Sequence, residues 1–586
     1  MRPSFTRRSL LGSLSLPLIA RAQMASRGIQ ATARPKASGL PFNSRLTDIA
    51  ANAGLSALVV FGEEARTTYI LEATGCGVAF LDYDNDGWLD IFLLSGSRLE
   101  GAPPGATNRL YHNNWDGTFS DVTKAAGLLH TGWSFGVTVA DYDNDGYDDI
   151  FVTCWGHNIL YHNNGNGTFT DVTRQAGLWS EEIRWATGCC FLDYNLDGHL
   201  DLFVSRYLKF DPAKVPAAGL DPNCNFKGIP INCGPKGLPQ DSHSLYRNNG
   251  DGTFTEVSRQ AGILAPESGY GLTAVAADFN DDGWPDIYVA CDSTPSLLYI
   301  NNHDGTFTES GLSSGVALNE NGQEQAGMGL GVGDFNLDGR LDILKTHFTE
   351  DTAALYANHG SEGFADVTLA AGLGVETRYV SWGAGIVDLD NCGYPELFWV
   401  TGGVYPEASK RLPQFPQRSP RVLFRNPGKG RFEELLEEGG PGISAAHCSR
   451  GCAFGDFDND GDLDIVVVNL NEPPSLLRND VRGSNRWIKF QLVGTKSNRS
   501  AIGARVIVKY GARRQAQEVL AQSSYLSVND KRLHFGLGKV ETIDAEIRWP
   551  GGARQSFAGI ECNQLVVIDE TKGIVSRKRL GPARPG

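Results

Sequence analysis

The sequence lacks long apolar runs and any excess of basic residues. Beyond residue 22 no apolar run reaches the roughly 18 residues that a membrane-spanning helix needs, so we expect no transmembrane segment in the mature chain. Lysine and arginine number 52 against 68 aspartate and glutamate residues, which gives a formal net charge of −16. Because binding to a phosphate backbone requires a basic surface, this balance excludes nucleic acid as the main partner.

Motifs for catalysis and for zinc binding are also missing. The eleven cysteines include no C-x-x-C pair of the kind that holds structural zinc. There is no H-E-x-x-H, P-loop or dinucleotide-binding pattern. Residues 311–315 match G-x-S-x-G, but they follow a predicted strand and do not join a strand to a helix, as a nucleophile elbow does. We therefore identify no catalytic residue.

The composition instead favours many short strands joined by tight turns. There are 70 glycines and 27 prolines, and only 20% of the residues are charged. A hydrophobic content of 41% is enough for a sizeable core and argues against disorder. In an oxidising compartment some cysteines should form disulfides. Cys224 and Cys233 are the best-placed pair, and Cys448 with Cys452 is a second candidate.

The N-terminal residues resemble an export signal. The pair Arg7-Arg8 precedes an apolar run over residues 10–20, and residues 20–22 fit an A-x-A cleavage site. The run is too short to span a bilayer, and twin arginines are typical of the export route for folded proteins. We expect a twin-arginine signal peptide over residues 1–22, a linker over 23–41, and an exported protein that is periplasmic or extracellular.

A nine-residue acidic pattern occurs seven times in the chain. In the first copy, residues 82–90, it reads DYDNDGWLD. Each copy lies between two short apolar runs and is followed by a second predicted hairpin, in several units with an Asn-Gly or Asp-Gly turn, as at residues 160–173. Each unit should therefore form four antiparallel strands, A to D, with the acidic loop between A and B. The copies start at Asp82, Asp141, Asp193, Asp278, Asp334, Asp388 and Asp456.

Seven four-stranded units predict an all-β fold with a seven-bladed β-propeller over residues 42–482. After the seventh acidic loop a C-type strand, residues 475–479, has no D-type strand behind it. A D-like segment at residues 42–49 lies near the start of the mature chain and resembles residues 169–176. We infer that this N-terminal strand completes the last blade and closes the ring.

The acidic loops are predicted to bind Ca²⁺. Loop positions 1, 3, 5 and 9 supply side-chain oxygens and position 7 a backbone carbonyl, and hard-oxygen sets of this kind suit Ca²⁺ better than Mg²⁺. Glycine at position 6 permits the sharp turn. The predicted ligands are Asp82, Asp84, Asp86, Trp88, Asp90, Asp141, Asp143, Asp145, Tyr147, Asp149, Asp193, Asn195, Asp197, His199, Asp201, Asp278, Asn280, Asp282, Trp284, Asp286, Asp334, Asn336, Asp338, Arg340, Asp342, Asp388, Asp390, Asp456, Asp458, Asp460, Asp462 and Asp464.

We expect six or seven ions with a structural role. The sixth loop is the weakest, because Cys392 replaces the position-5 acid and Glu396 stands at position 9. The alternative, that the loops are only polar turns, would leave three or four converging carboxylates without a counter-charge. Since such ions would stabilise the A–B hairpins, their removal should destabilise the blades.

These loops and the repeated GTFTDVT-like strands resemble the FG-GAP/VCBS repeats of the integrin α-subunit propeller. The chain from residue 485 onward resembles the ASPIC-type domain of the acidic cartilage proteins and their bacterial relatives. The matching segments are residues 500–506, 523–527, 534–538 and 547–552. The resemblance implies an extracellular matrix or adhesion-type binding protein but specifies no ligand.

The C-terminal domain, residues 485–570, is expected to form a small antiparallel β-sandwich or barrel. Its apolar and polar residues alternate in five strand-like runs, and the acidic loops are absent from it. The basic segment 571–586 is expected to be a mobile tail. The predicted runs are residues 487–493, 504–510, 518–521, 545–549 and 565–568.

A partner is expected on the face opposite the acidic loops. Long insertions at residues 206–243, 313–327 and 401–421 fall there, and loops on a rigid scaffold often carry binding residues. The third insertion could attract an anionic glycan or an acidic protein patch through its basic and aromatic residues. An enzyme with its site in the propeller channel, such as a polysaccharide lyase or a cofactor-dependent propeller enzyme, is the alternative. The residues of the third insertion in question are Tyr405, Lys410, Arg411, Phe415, Arg418 and Arg421.

Overall fold

The chain folds mainly into β-strands in the computed structural model, which describes residues 26–264 and 269–580. Between residues 46 and 479 the strands pair in antiparallel units of four, in the order A-B-C-D. The A and B strands are apolar and almost wholly buried, whereas the short D strands bury mainly their first residue. The predicted signal peptide, residues 1–22, lies outside the described residues.

The units are numbered 1 to 7 in chain order, and strand A is the innermost strand of each. The A strands are Val78–Leu81, Trp133–Ala140, Arg184–Leu192, Gly271–Ala277, Leu330–Gly333, Ser381–Val387 and Ser449–Gly455. The B strands are Asp90–Leu93, Asp149–Gly156, Asp201–Arg206, Asp286–Cys291, Asp342–Lys345, Glu396–Thr401 and Asp464–Asn469. The C strands are Arg109–Asn113, Ile159–Asn163, Ser244–Asn248, Leu297–Asn301, Ala354–Asn358, Val422–Arg425 and Ser475–Asn479. The D strands are Phe119–Asp121, Phe169–Asp171, Phe254–Glu256, Phe307–Glu309, Phe364–Asp366, Glu433–Leu435 and, in unit 7, Leu46–Asp48.

The A strands form a closed ring. Each A strand contacts the A strand of the next unit, and the A strand of unit 7 contacts that of unit 1. The D strand of unit 7 comes from the other end of the chain, since Leu46–Asp48 pairs with Ser475–Asn479 in antiparallel register. The predicted propeller and its closure by the N-terminal strand are confirmed.

One asparagine per unit links each blade to the blade before it. At the end of strand C its buried side-chain amide donates a hydrogen bond of 2.7–2.9 Å to the backbone carbonyl of loop position 2 in the preceding unit. The series closes on itself, because Asn113 of unit 1 reaches Phe457 of unit 7. A hydrogen bond of this kind contributes about 1 kcal/mol. The seven donors are Asn113, Asn163, Asn248, Asn301, Asn358, Asn426 and Asn479.

The chain from residue 486 forms two four-stranded sheets that share one hydrophobic core. The expected small β-sandwich is therefore present, but one pair, Arg486–Val493 with Leu565–Asp569, is parallel and not antiparallel. The first sheet has the order Leu533–Gly538, Arg486–Val493, Leu565–Asp569, Gly573–Lys578. The second has the order Arg513–Glu518, Arg505–Tyr510, Thr542–Arg548, Arg554–Glu561.

Two segments of this domain differ from their prediction. The run at residues 518–521 was expected to be a strand, yet the strand is Arg513–Glu518 and the chain turns inward after it. The tail expected to be mobile from residue 571 contains the strand Gly573–Lys578, because pairing with Leu565–Asp569 satisfies its backbone groups. Residues 581–586 lie outside the described part of the chain.

Helices are few and short. The α-helices are Leu71–Thr74, Pro406–Arg411 and Pro441–Ser444, and the 3-10 turns are Gly360–Glu362 and Leu373–Val375. A small hairpin, Asn225–Phe226 with Ile229–Pro230, lies within the insertion of unit 3. In the described ranges, no helix has both the length and the apolar character needed to cross a membrane.

The cysteines form one disulfide among the described residues. Cys224 and Cys233 are bonded within the unit 3 insertion, as their spacing suggests. The second candidate pair is not formed, because Cys448 and Cys452 each meet other groups. The Cys448 thiol contacts the Gly403 carbonyl at 3.5 Å and that of Cys452 lies 3.2 Å from the Ser524 hydroxyl.

The described part of the predicted linker lies along units 5 and 6. It contains no helix or strand, yet the Ile29 amide donates to Glu350 and the Thr32 amide to Gly374, both at 2.8 Å. Further on, Arg34 pairs with Glu434 at 2.6 Å. The segment is thus anchored to the propeller along its length.

Candidate functional site

The seven acidic loops share one backbone geometry. In each loop the position-1 aspartate accepts hydrogen bonds from the amides of positions 5 and 6 at 2.6–3.1 Å. The glycine at position 6 has φ between 83° and 100°, as the turn requires. Position 4 is also left-handed, with φ of 55–63°, which the pattern did not indicate because two copies carry leucine there. The position-4 residues are Asn85, Asn144, Leu196, Asp281, Leu337, Asn391 and Asn459.

The position-9 acids connect each loop to strand C. The carboxylate of Asp90 accepts the Asn113 amide at 2.8 Å and the Tyr83 amide at 3.3 Å. Five other loops repeat both contacts. These acids are buried, so they hold the loop in place from beneath while facing the other loop carboxylates.

The predicted ligand side chains converge within each loop. In the first loop, carboxylate oxygens of Asp82, Asp84 and Asp90 lie within 4.8 Å of one another. Burial, together with the neighbouring carboxylates, raises the pKa of Asp82 to about 7 and that of Asp90 to about 6. The same causes raise the pKa of Asp458 in the seventh loop to about 8. The carboxylates are therefore short of positive charge.

Some loop oxygens also have no hydrogen-bond partner. Asp84 Oδ1, Asp458 Oδ1 and Glu396 Oε1 are buried and unpaired within the described residues. Such groups are rare and costly in folded proteins. Converging carboxylates with unpaired oxygens fit a hard divalent cation such as Ca²⁺, which takes six to eight oxygen ligands.

Histidines face the loops of units 1 and 2. His112 Nδ1 lies 3.3 Å from Asp90 and 3.5 Å from Asp84. His162 makes the equivalent contacts in unit 2, and the adjacent Asp149 carboxylate raises its pKa to about 9. In the sequence the two histidines occupy the same repeat position before the Asn-Asn turn, which indicates repeat residues and not a ligand pair. Their nitrogens are additional candidate ligands.

The sixth loop is the most deeply buried of the set. Asp388 and Glu396 are both buried, and their burial raises the pKa of both carboxyl groups. The neighbouring Asp390 carboxylate raises both pKa values further. Cys392 supplies a sulfur within 4.8 Å of the Asp388 and Asp390 oxygens. A thiol is a poor ligand for a hard cation. For this reason we expect lower calcium occupancy in the sixth loop, and this stays a prediction.

The C-terminal domain covers the face that carries the acidic loops. Lys489 pairs with Asp456 at 2.8 Å, and the Ala516 amide donates to Asp334 at 3.0 Å. Arg505, fully buried, pairs with Asp281 and Glu518. Equivalent contacts reach loops 2 and 6 through Arg499, Ser500, Tyr510 and Arg513. Basic and amide groups of the domain thus offset part of the loop charge.

A segment of the same domain fills the propeller channel. Every residue from Gln522 to Val528 is buried. Its backbone pairs with A strands, since Ser524 exchanges hydrogen bonds with Leu330 at 2.5 and 2.6 Å and Val528 bonds to Val78 and Phe80 at 3.0 and 3.1 Å. The segment includes residues 523–527, one of the motifs that carry the ASPIC-type resemblance. We call residues 522–528 the channel segment.

The tyrosine at the middle of the channel segment reaches toward the opposite face. The Tyr525 hydroxyl donates to the Thr74 carbonyl at 3.0 Å, and its ring meets Trp382 edge-on with centroids 5.0 Å apart. Arg450 lies over the Trp382 ring at 4.1 Å and donates only to carbonyls and sulfur. The propeller centre is therefore packed with side chains and is not an open pore.

The basic insertion at residues 401–421 is less available than predicted. Arg421 is 3% exposed and donates to the Gly442 carbonyl and the Ser475 hydroxyl, so its prediction as a partner contact is wrong. Arg418 is partly exposed but already pairs with Glu472 and Glu64. Phe415 packs edge-on against Phe226. Lys410 and Arg411 are exposed and have no ion pair among the described residues.

A cavity opens on the face with the insertions, at the end of the channel. Aromatic and aliphatic side chains line most of it, and the insertions at residues 206–243 and 401–421 form two of its walls. Below the cavity lies Tyr525 of the channel segment. Lining residues include Tyr207, Asn232 and Lys236 of the insertion at residues 206–243, Tyr405 of the insertion at residues 401–421, and Asp292 and Trp382.

Two family models match the chain. The model for the FG-GAP-like repeat matches residues 82–152, 141–204, 238–289, 278–345 and 416–467. The model for ASPIC and UnbV matches residues 494–575. Both matches fall where the structure has the propeller and the C-terminal sandwich.

Curated relatives carry the name cartilage acidic protein 1. The Homo sapiens protein is 26% identical over 522 residues, which cover 84% of this chain and 71% of that protein. The Xenopus tropicalis protein is 28% identical over 351 residues, which cover 58% and 50%.

Solved structures give weaker likenesses. An Agrocybe aegerita lectin that recognises non-reducing terminal N-acetylglucosamine aligns with a TM-score of 0.36 and 17% identity, over 68% of this chain and 86% of the lectin. YCF48 bound to a D1 peptide aligns with a TM-score of 0.37 and 9% identity, over 73% of this chain and all of that one. Scores this low carry no functional argument.

Proposed function

We propose, from the chain's membership of the proteins that combine FG-GAP-like repeats with an ASPIC and UnbV domain, that it is an exported, calcium-binding adhesion module for an extracellular protein or carbohydrate. The observation that carries the proposal is the difference between the two propeller faces. One face and the channel are occupied by the C-terminal domain, whereas the other carries long insertions around an open cavity. Binding residues are usually found on such loops, held by a rigid scaffold.

Calcium in the acidic loops is part of this proposal. The support is chemical: converging carboxylates with raised pKa values, unpaired buried oxygens and a turn that aims them at one point. A bound ion would supply the missing positive charge and stabilise each A–B hairpin. The ligand sets would be those predicted from the sequence, with the His112 and His162 nitrogens as possible additions.

Metal analysis of the purified mature protein tests the calcium. We expect six or seven Ca²⁺ per chain, and a fall in melting temperature on chelation that Ca²⁺ reverses more completely than Mg²⁺. Each site filled at a hundred times its Kd contributes about 2.7 kcal/mol to stability. A protein without bound cations, or one whose melting curve is unchanged by chelator, would contradict this part of the proposal.

The rival function, an enzyme with its site in the channel, is weakened by the channel segment. Residues 522–528 fill the space between the A strands, where converging catalytic groups would have to meet a substrate. The cavity at the channel's end remains a place where a small ligand could bind, and it is part of the proposed binding face.

The binding function is tested with the full mature chain on glycan and protein arrays, with and without calcium. We expect ligands whose binding is reduced by Arg411→Glu, a change on the insertion face. The matched control is Arg554→Glu, an exposed arginine on the C-terminal domain, which should have no effect. Equal effects of both substitutions would argue against the proposed face, and absence of any ligand would argue against the function.

A further inference from the structure

The cavity on the insertion face contains a carboxylate that lacks a counter-charge. The Tyr207 hydroxyl donates to Asp292 Oδ2 at 2.5 Å and the Ser293 hydroxyl donates to Oδ1 at 2.8 Å. Within the described ranges no lysine, arginine or histidine pairs with this carboxylate. The Asp292 side chain is partly buried and faces the cavity, since it is among the lining residues.

Four aromatic side chains contribute to the apolar walls around Asp292. Tyr207, Phe348, Trp382 and Tyr405 all line the cavity. The rings of Phe348 and Tyr405 meet edge-on with centroids 6.1 Å apart. An aromatic ring presents a negative face, which attracts cations more strongly when water is excluded.

Among the described residues that line the cavity, the one cation is already paired. Lys236 lines the cavity, but its ammonium group lies 2.6 Å from Glu324 on the neighbouring blade connection. It therefore does not compensate Asp292. Both residues belong to insertions, so the rim is built by the segments that distinguish units 3 and 4 from the others.

We propose that this cavity binds a small organic cation, an amine or quaternary ammonium group, with Asp292 as its counter-ion and the aromatic side chains as its walls. The inference rests on the proposed binding function, and names the chemistry that one part of the binding face would recognise. The carboxylate would compensate the charge while Tyr207 and Ser293 hold it in place, and the rings would contact the alkyl groups around the nitrogen.

Neutral ligands fit the cavity less well. A sugar requires several hydrogen-bond partners, but polar groups here are already engaged with each other. The Asn232 carbonyl accepts from the Thr67 hydroxyl at 3.1 Å, and the Thr74 hydroxyl donates to the Leu71 carbonyl at 3.2 Å. The free space of about 60 Å³ corresponds to a few waters at roughly 10–15 Å³ each, which suits a headgroup of a few heavy atoms.

The test is calorimetry on the full mature protein with calcium present. The probes are choline, n-butylamine and 3,3-dimethylbutan-1-ol, which has the shape of choline without its charge. We expect one cation per chain, bound at least tenfold more tightly than the neutral alcohol. Whether choline or n-butylamine binds more tightly shows whether the cavity prefers a quaternary headgroup or a primary amine.

Two variants distinguish the cavity from other sites. Asp292→Asn should weaken cation binding at least tenfold, whereas Lys410→Met, an exposed cation elsewhere on the same face, should leave it unchanged. If Asp292→Asn does not fold, Ser293→Ala, which removes only one donor to the carboxylate, should still change the affinity. Equal binding of choline and its neutral analogue, or full binding by Asp292→Asn, would overturn the inference. If the protein binds a glycan or protein ligand but no organic cation, the proposed binding function stands and only this inference is removed.

Discussion

The ammonium group of Lys489 lies 2.8 Å from the Asp456 carboxylate, and neither side chain has any exposed surface. Lys489 belongs to the C-terminal domain, whereas Asp456 begins the seventh acidic loop, so this ion pair joins the two parts of the protein. Asp456 also accepts the amides of Asp460 and Gly461. The charge of the loop is thus shared between its own backbone, the C-terminal domain and the ion that we propose.

Replacing Lys489 should loosen the contact between the domains. Lys489→Met leaves the Asp456 carboxylate buried without its cationic partner, which costs about 3–5 kcal/mol in comparable cases. Lys509→Met, an exposed lysine on a strand of the same domain, should change stability by less than about 0.5 kcal/mol. Urea unfolding in calcium buffer measures both. Equal stabilities of the two variants would show that the buried pair contributes nothing.

The asparagine ring should carry measurable stability. Asn301→Ala removes donors to the Tyr194 and Pro285 carbonyls, at 2.8 and 3.2 Å, and leaves both without these partners in the interior. We expect a loss of about 1–3 kcal/mol. The adjacent Asn302→Ala is the control, because Asn302 is exposed and donates only to the Thr306 hydroxyl. A larger loss for Asn302→Ala would contradict the role given to the ring.

The propeller could be predicted because its signals are local. Each acidic loop and each Asn-Gly or Asp-Gly turn specifies one hairpin, and seven copies specify seven similar units. The closure by residues 46–48 was also predictable, since one D-type strand is missing after unit 7 and one is present near the mature N-terminus. The loop chemistry follows from the same nine residues.

The docking of the C-terminal domain could not be predicted in this way. Residues 522–528 read as a small polar loop, and their partners, such as Val78 and Leu330, lie about 200 to 450 positions away. No periodic pattern records such a contact. For the same reason Arg421 was assigned to the surface, although its two terminal nitrogens donate to the Gly442 carbonyl and the Ser475 hydroxyl in the interior.

The sixth loop should gain affinity for calcium from one substitution. Cys392→Asp restores the position-5 carboxylate that six loops already have. We expect tighter binding at this loop with Ca²⁺ present, and a less stable protein without it, because Asp388 and Glu396 are buried and already repel each other. Native mass spectrometry at limiting calcium measures the occupancy. Cys392→Ser is the control and should not raise it, and an unchanged ion count for Cys392→Asp would contradict the prediction.

The channel segment should depend on the glycine at the start of strand A in unit 1. A Cβ on Gly77 would lie 1.8 Å from the Leu526 carbonyl oxygen, closer than any contact allows. Gly77→Ala should therefore displace residues 522–528, at a cost of at least about 1–3 kcal/mol, and raise their hydrogen exchange. Gly117→Asn is the control, because this turn glycine has no atom within 4 Å of an added Cβ and a φ of 84°, which asparagine tolerates better than other residues; it should leave that exchange unchanged. Protection of the segment equal to that of the native protein would contradict this packing.

Removing calcium should release the C-terminal domain before the propeller unfolds. The domain contacts loop residues directly, through Lys489 on Asp456, Ala516 on Asp334 and Arg505 beside Asp278. If the ions hold the loops in shape, chelation disorders the surface on which the domain rests, and linkage requires that docking in turn strengthens calcium binding. Limited proteolysis near residues 480–486 and hydrogen exchange of residues 522–528 should both increase in chelator and return to the native level on adding Ca²⁺.

The variant Lys489→Met tests how the ion pair and the calcium ion affect each other. If the Lys489 ammonium competes with the ion for Asp456, the variant should need less calcium for half-maximal protection. If docking of the domain supports calcium binding, the variant should need more. We expect the second outcome. Lys489 contacts Asp456 Oδ2, the same oxygen that accepts the Gly461 amide, and it does not contact Oδ1.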